Sequence, residues 1–380
     1  MRFEKYPFEK LNELLDGIKE NPNFYPITLT IGEPQFETPK FIQDELCKNS
    51  NLLNKYPKSG FEDILKDAIL DFISNRFSIK LNYSQMIPTF GTREVLFNFP
   101  QFLLKDKLSA KMAFTNPFYQ IYEGAAIAAG AKIFYLNLTK SNNFKPQINK
   151  DILKDIDFVI INSPNNPTGS VMDLEELKLW VKAALDYDFV LLNDECYSEI
   201  YDLSAPPSLL QASIELNNSE FKNILVVNSI SKRSSAPGLR SGFIAGDERI
   251  LKEYKRFRTY VGCASPLPLQ MAAAKAWMDE THVIKNRDIY RKNFKIAKEI
   301  LGVLPPKATF YLWLEVDDDL EFTKMLYKKY NLKVLPGRFL GRDGMGKGFI
   351  RIALVYDENK TKEAMIRLKE AMEEKRVDKK

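Results

Sequence analysis

Between residues 87 and 246 short apolar runs alternate with amphipathic ones. Met112–Phe114, Ile133–Tyr135, Phe158–Ile161, Phe189–Leu192 and Ile224–Val227 have the length and side-chain type of strands. A similar run around Ile87 precedes them and Phe243–Ala245 follows. Between two of these runs, Asp173 and Glu176 form a capping box, opening a helix with Leu174, Leu177, Val181 and Ala184 inward. Apolar strands separated by helices predict βαβ units. The expected fold is α/β, with a mostly parallel central sheet covered by helices.

Outside this block the periodicity changes. Phe8, Leu11, Leu15 and Ile18 recur at helical spacing, predicting a helix that Pro22 ends. Leu29–Ile31 reads as a strand entering the turn Gly32-Glu33-Pro34, and the turn 56–60 precedes a helix with Ile64, Leu65, Ala68, Ile69 and Phe72 on one side. After Ser265-Pro266 one long helical pattern runs from Gln270 towards Leu301. Phe310–Leu314 and Phe349–Leu354 then suggest antiparallel strands, with a last helix from about Thr361. The expected organisation is a large domain over 46–270 and a smaller α+β domain over 271–380, which the segment 1–45 joins. No repeat or low-complexity tract interrupts the chain.

Sheets of this kind bind ligands at the carboxyl ends of their strands, so polar residues should collect there. They do. Phe158–Ile161 runs into Asn162-Ser163-Pro164-Asn165-Asn166, Phe189–Leu192 into Asn193-Asp194-Glu195-Cys196-Tyr197, and Ile224–Val227 into Asn228-Ser229 and on to Lys232. The run at Ile87 leads to Gly91-Thr92-Arg93 and a helix start. A lysine held at a strand end loses solvation and can act as the neutral amine that attacks carbonyls. Ser229, Ser231 and Arg240 nearby make an anion site, and phosphate is the usual anion. An aldehyde tethered by phosphate answers both: pyridoxal 5'-phosphate in Schiff-base linkage to Lys232. Its ring nitrogen needs a carboxylate, for which Asp194 is the candidate. Asn166 and Tyr197 can donate to its phenolate oxygen, the backbone at Thr92 and Arg93 to its phosphate, and Tyr119 can cover its ring. Each residue alone has an ordinary structural reading: Asp194 as a helix cap, Asn166 as a turn former, Tyr119 as core, and Lys232 and Arg240 as a solvated loop.

Composition narrows the classes. The net charge of +5, from 55 basic and 50 acidic residues, is small and spread along the chain, so neither nucleic acid nor an anionic membrane is an expected partner. Only Lys375–Lys380 clusters positive charge, read as a frayed helix end. Cys47, Cys196 and Cys263 are far apart and odd in number, which fits a reducing compartment. The start lacks the apolar core of a signal peptide, and no apolar run approaches the ~20 residues that span a bilayer. A soluble, cytoplasmic protein without a metal is expected. His282, the only histidine, reads as structural. No GxGxxG follows a strand, which argues against a dehydrogenase; Gly124–Gly130 is an Ala-rich helix with a C-terminal glycine.

Over nearly its whole length the chain resembles the fold-type-I pyridoxal-phosphate aminotransferases (class I/II). The resemblance rests on the Asn166-Pro167-Thr168-Gly169 turn, Asp194 three residues before Tyr197, Ser229-x-Ser231-Lys232 with Arg240 eight on, and Arg351 within Ile350-Arg351-Ile352. It implies that Lys232 carries the cofactor and shuttles a proton, while Arg351 clamps the substrate α-carboxylate as a bidentate pair. Gly32 is implied to approach the substrate by its backbone, with Asn166 close by. Tyr56 is implied to reach the phosphate of a neighbouring subunit, making a homodimer with shared sites. Cys196 would lie under the ring as packing. The stretches 31–34, 231–234, 279–283, 334–337 and 352–355 also resemble bacterial N-succinyldiaminopimelate aminotransferases. They imply amino transfer from glutamate to N-succinyl-2-amino-6-oxopimelate in lysine and diaminopimelate biosynthesis, with Lys58, Arg233 and Arg338 as candidates for its distal carboxylate. The alternatives are an aminotransferase for aspartate or another amino acid, a C–S β-lyase on the same fold and, from a different class, a cofactor-free scaffold or binding protein.

Overall fold

The computed structural model describes residues 3–377. Seven strands form the central sheet, in the spatial order Met86–Thr89, Gly242–Gly246, Ile224–Ser229, Val190–Asp194, Phe158–Asn162, Lys111–Asn116 and Lys132–Asn137. Gly242–Gly246 runs antiparallel to both neighbours, and every other pairing is parallel. The apolar runs are continuous because helices cover both faces. Val159, Ile161, Leu191 and Val226 enter one core with Leu65, Phe72, Trp180 and Trp277. Phe158, Ile160, Leu192 and Val227 enter the other with Phe99, Tyr122 and Tyr254. The strands continue through the polar residues Asn162, Asp194 and Ser229, whose side chains are therefore fixed by the sheet ladder.

The reversed strand positions the chemistry. Ser229 pairs with Gly242, so residues 230–241 form a closed excursion at one strand end. Lys232 and Arg240 belong to that excursion and must both face the rim.

A further core joins the helices Thr281–Leu301 and Glu358–Val377 to the antiparallel strands Tyr311–Glu315 and Phe349–Ala353, the latter also paired with Leu335–Pro336. Tyr197 and Ile200, just beyond the Val190–Asp194 strand, also enter it. Ile27–Thr28 pairs with Leu332–Lys333, bringing the N-terminal segment alongside.

Several elements differ from the sequence pattern. The first helix, Pro7–Leu15, ends before Gly17, whose φ of +72° leaves the helical region well ahead of Pro22. The expected strand at Leu29–Ile31 lies two residues earlier, although Leu29 still donates to Lys333 O and accepts from Ala353 N. Ile64 is exposed; the helix Asp63–Phe77 turns Leu65, Ala68, Ile69, Phe72 and Ile73 inward. The long pattern after Gln270 is two helices, Leu267–Met278 and Thr281–Leu301, broken at the extended Asp279. The last helix starts at Glu358 rather than Thr361. The capping box at Asp173 and Glu176 is present, with both reciprocal bonds made. Residues 378–380 of the C-terminal basic run lie outside the described residues. No described helix is long and apolar enough to cross a membrane.

Candidate active site

A cavity of about 510 Å³ opens at the carboxyl ends of the strands. It brings together Gly32, Thr92, Arg93, Tyr119, Asn166, Asp194, Tyr197, Ser229, Ser231, Lys232, Arg240 and Arg351. Tyr56 is not among its lining residues; it is 99% exposed on the surface of this chain.

Lys232 sits on the four-residue helix Ile230–Arg233, which Ser229 Oγ caps by accepting from Ser231 N at 3.0 Å. Its Nζ donates to Gly32 O. Burial pushes the amine down to about 8, and the Arg351 and Arg240 cations act the same way; Cys196 and Glu33 oppose them. The amine is thus far closer to its neutral form near pH 7 than a solvated lysine.

Arg240 has φ +50° and donates to Pro237 O at 2.9 Å. Its guanidinium presses on Gly91, where a Cβ would lie 2.4 Å from Nη2. Gly91, with φ +72°, immediately precedes the helix Thr92–Leu104. Only glycine fits both the backbone and the contact. The arrangement sets a guanidinium beside the free N–H groups of a helix start, a combination suited to a phosphate dianion.

Asp194 ends its strand as a buried carboxylate. It accepts from Tyr122 Oη at 2.8 Å and Cys196 N at 3.2 Å. Burial raises its carboxyl above the usual range, and these bonds only partly oppose the rise. Such a carboxylate is poised to take a charged N–H partner. Cys196 Sγ lies 3.2 Å from Thr92 Oγ1, and burial pushes its thiol well up, so it stays protonated. Asn162 ties two strand ends together: its Nδ2 donates to Asp194 O at 2.7 Å, and its Oδ1 accepts from Asn166 N at 2.7 Å.

At the opposite side Arg351 donates to Asn166 Oδ1 at 2.8 Å and Thr30 O at 2.6 Å, and lies over the Tyr311 ring at 4.4 Å. Among the described residues its Nε is buried without a partner. Tyr311 and Tyr197 share a hydroxyl contact of 3.1 Å. A Cβ on Gly32 would lie 1.8 Å from Tyr311 Oη, so this backbone approach requires glycine.

At the mouth the Arg93 side chain turns outward, donating to Tyr119 Oη and Tyr6 Oη at 2.9 Å each. These partners are neutral, so its positive charge is uncompensated by any ion pair among the described residues. The three cations named for a distal carboxylate are engaged elsewhere. Lys58 pairs with Glu62 on the surface, Arg338 with Asp318 and Asp319, and Arg233 is buried against Ala276 O and Glu280. None of them lines the cavity.

Tyr122, Asn162, Tyr311 and Tyr6 line the cavity as well, without a role assigned to them from sequence. Asn162 was visible as a polar strand end. Tyr122, one helical turn after Tyr119, looks like any core aromatic, and nothing local marks Tyr6 or Tyr311 as cavity residues. His282 bridges Asp279 Oδ1 at 2.6 Å and Ser234 Oγ at 2.9 Å, away from the cavity lining.

Comparison with known proteins adds an independent finding. The sequence model of the family described as Aminotransferase class I and II matches residues 26–368. The crystal structure of aminotransferase AspB from Helicobacter pylori superposes with a TM-score of 0.96 at 49% identity, covering 98% of this chain and all of that one. An LL-diaminopimelate aminotransferase of Natranaerobius thermophilus is 31% identical over 89% of this chain and 90% of its own length. An aspartate aminotransferase of Pyrococcus horikoshii is 28% identical over 96% of this chain and 94% of its own.

Proposed function

The chain belongs to the class I and II aminotransferases, a pyridoxal-phosphate-dependent family, and from that premise we propose that it moves an amino group from glutamate to N-succinyl-2-amino-6-oxopimelate. The cavity residues fit the cofactor. Arg240, the helix start at Thr92, Ser229 and Ser231 would hold its phosphate, Asp194 its ring N–H, Asn166 and Tyr197 its ring oxygen, and Tyr119 its face. When bound, it supplies an electrophilic carbonyl carbon and an electron sink.

The chain's own residues supply the rest. Arg351 binds the α-carboxylate; Asn166 Oδ1 and Thr30 O hold its terminal nitrogens, and so orient the planar guanidinium that a carboxylate accepts bidentately. With Asn166 Oδ1 occupied by Arg351, the Asn166 amide retains its Nδ2 for donation. The depressed amine of Lys232 removes the proton at the substrate Cα as a general base and later returns it. Asp194, shielded by Tyr122 and strand burial, would keep its negative charge once a cationic N–H partner offsets its burial.

One observation carries the substrate reading: besides Arg240 at the phosphate site, the cavity has two further guanidinium poles, Arg351 in the wall and the carboxylate-free Arg93 at the mouth. That pattern suits a long substrate with a carboxylate at each end. The diaminopimelate skeleton in the name of the N. thermophilus relative is consistent with it. The P. horikoshii relative's name makes aspartate the competing substrate. A panel of amino acceptors, assayed with glutamate as donor, decides between them. Turnover of the succinylated keto acid is expected to exceed that of oxaloacetate, with no pyruvate released from cystathionine. Rapid turnover of oxaloacetate with inertness towards the succinylated compound would refute the assignment. We further propose that the site is shared within a homodimer, because the fully exposed Tyr56 has no use in its own cavity. Mixing Lys232→Ala with Tyr56→Phe subunits should then give hybrids that regain activity at one site, whereas no recovery would argue against sharing.

A further inference from the structure

Lys232 is carried by a helix of only four residues, too short to fix its own geometry. What holds it lies on the far side, in the elbow between the helices Leu267–Met278 and Thr281–Leu301. The next residue, Arg233, is 1% exposed and sends its guanidinium to the carboxyl end of the first of these helices. There it donates to Ala276 O at 2.8 Å, pairs with the exposed Glu280, and lies over the rings of Phe72 at 4.9 Å and Trp277 at 5.3 Å. The backbone is gripped as well. Asn286 Nδ2 donates to Arg233 O at 3.2 Å, and His282 Nε2 meets Ser234 Oγ at 2.9 Å. Trp277 Nε1 donates to Ser241 Oγ at 3.1 Å, and Ser241 adjoins Arg240. One elbow therefore braces the residues after both the lysine and the arginine of the anion site.

We infer that Arg233 is a positioning residue for amino transfer: its clasp on the elbow sets where the Lys232 amine stands in the cavity. The geometry explains why this residue is an arginine. A buried cation at a helix carboxyl end is stabilised by the carbonyls and the negative pole there, and the planar guanidinium also stacks on two aromatic rings. The second helix of the elbow continues to Tyr290, Phe294 and Ala297 in the core beside the Arg351 strand. Displacement of that core would thus reach the base through Arg233. Charged groups around the clasp are Glu280, Glu199 and Asp279; those around the amine are Cys196, Glu33, Arg351 and Arg240.

The inference rests on Lys232 as the cofactor-bearing base, so Lys232→Ala is the control. If that variant kept the wild-type visible band of the bound cofactor, the functional reading itself would fail, whatever Arg233 does. The test compares Arg233→Met, Arg233→Lys and Glu280→Gln in cofactor-loaded protein by three readouts: melting temperature, steady-state kinetics, and the pH midpoint at which the visible band changes. Arg233→Met keeps an unbranched stem but removes the charge and the guanidinium. It should lower kcat ~10-fold or more with KM nearly unchanged, since a base displaced by about 1 Å loses rate rather than binding. The midpoint should shift by roughly half a pH unit or more, because the amine's surroundings change. Arg233→Lys should recover part of both effects, and Glu280→Gln should shift both in the same sense by less. A lowered melting temperature with unchanged kcat and midpoint would make Arg233 merely structural and overturn the inference. If Arg233→Met does not fold, Arg233→Lys and Glu280→Gln decide: wild-type midpoints and kcat in both would overturn it equally.

Discussion

Replacing Lys232 by methionine in the cofactor-free protein should stabilise it, and by an amount that depends on pH. The wild-type amine falls from an ordinary value of 10.5 to about 8 in the folded chain, first because burial disfavours its charge. A lysine depressed in the folded state binds protons more weakly there than in the unfolded chain. Below pH ~8 the folded protein must therefore carry an unfavourable charge, and the gap corresponds to about 3 kcal/mol. As pH rises from ~8 towards ~10.5 the native amine is already neutral while the unfolded one is not. The penalty then fades, to roughly half its full size at about pH 9.5. Methionine has similar length and no charge. Losing the Nζ bond to Gly32 O offsets about 1 kcal/mol at either pH. The change between about pH 7 and pH 9.5, roughly 2 kcal/mol, thus isolates the depressed amine. Urea unfolding of both cofactor-free proteins at the two pH values measures it. A stability difference that is the same at both, or that favours the variant more at high pH, would refute a depressed lysine and with it the neutral base.

Gly32→Ala places a methyl where Tyr311 Oη stands, so Tyr311 must move and Arg351 loses the ring beneath it; a stability loss of about 1–3 kcal/mol with a raised KM is expected in melting and kinetic assays, and an unchanged KM would contradict the packing. Arg351→Lys exchanges a fork for a point charge, and kcat/KM for every amino-acid substrate should fall ~10²-fold; a loss confined to one substrate would argue against an α-carboxylate role. Tyr122→Phe leaves the Asp194 carboxylate with only the N–H and thiol of Cys196 and raises its carboxyl further. Retention of pyridoxal phosphate during dialysis, followed by visible absorbance, should weaken ~10-fold, as expected when a bond to a buried charge worth about 1.5–3 kcal/mol is removed. Full retention would place Asp194 outside the cofactor's reach.

The strand ends were legible in the sequence because a parallel sheet forces its chemistry to one rim. Phe158–Ile161, Phe189–Leu192 and Ile224–Val227 lead into Asn162, Asp194 and Ser229; the sheet pairs Asn162 with Asp194 and Asp194 with Val227, two residues before Ser229. Elements whose limits depend on single residues were less legible. The helix break at Asp279 hides within a periodic pattern, and the first helix yields to Gly17 rather than to Pro22.

What the sequence determined by itself was the class of sheet, the rim, and the lysine, aspartate and Arg240 that meet there, whereas Arg351 was marked only by the family resemblance. Those features follow from local periodicity and from residue types fixed to strand ends. Only the tertiary structure decided where long side chains end. Arg233 and Arg93 are both unremarkable cations in the sequence. Folding buries one against helix carbonyls that lie 43 residues further along the chain, and leaves the other at the cavity mouth between two phenols. Tyr311 under Arg351 and against Gly32 is decided in the same way, by segments that meet only when two cores close on each other. A side chain's partner is set by whichever group burial places within reach, and that distance is a property of the folded chain alone.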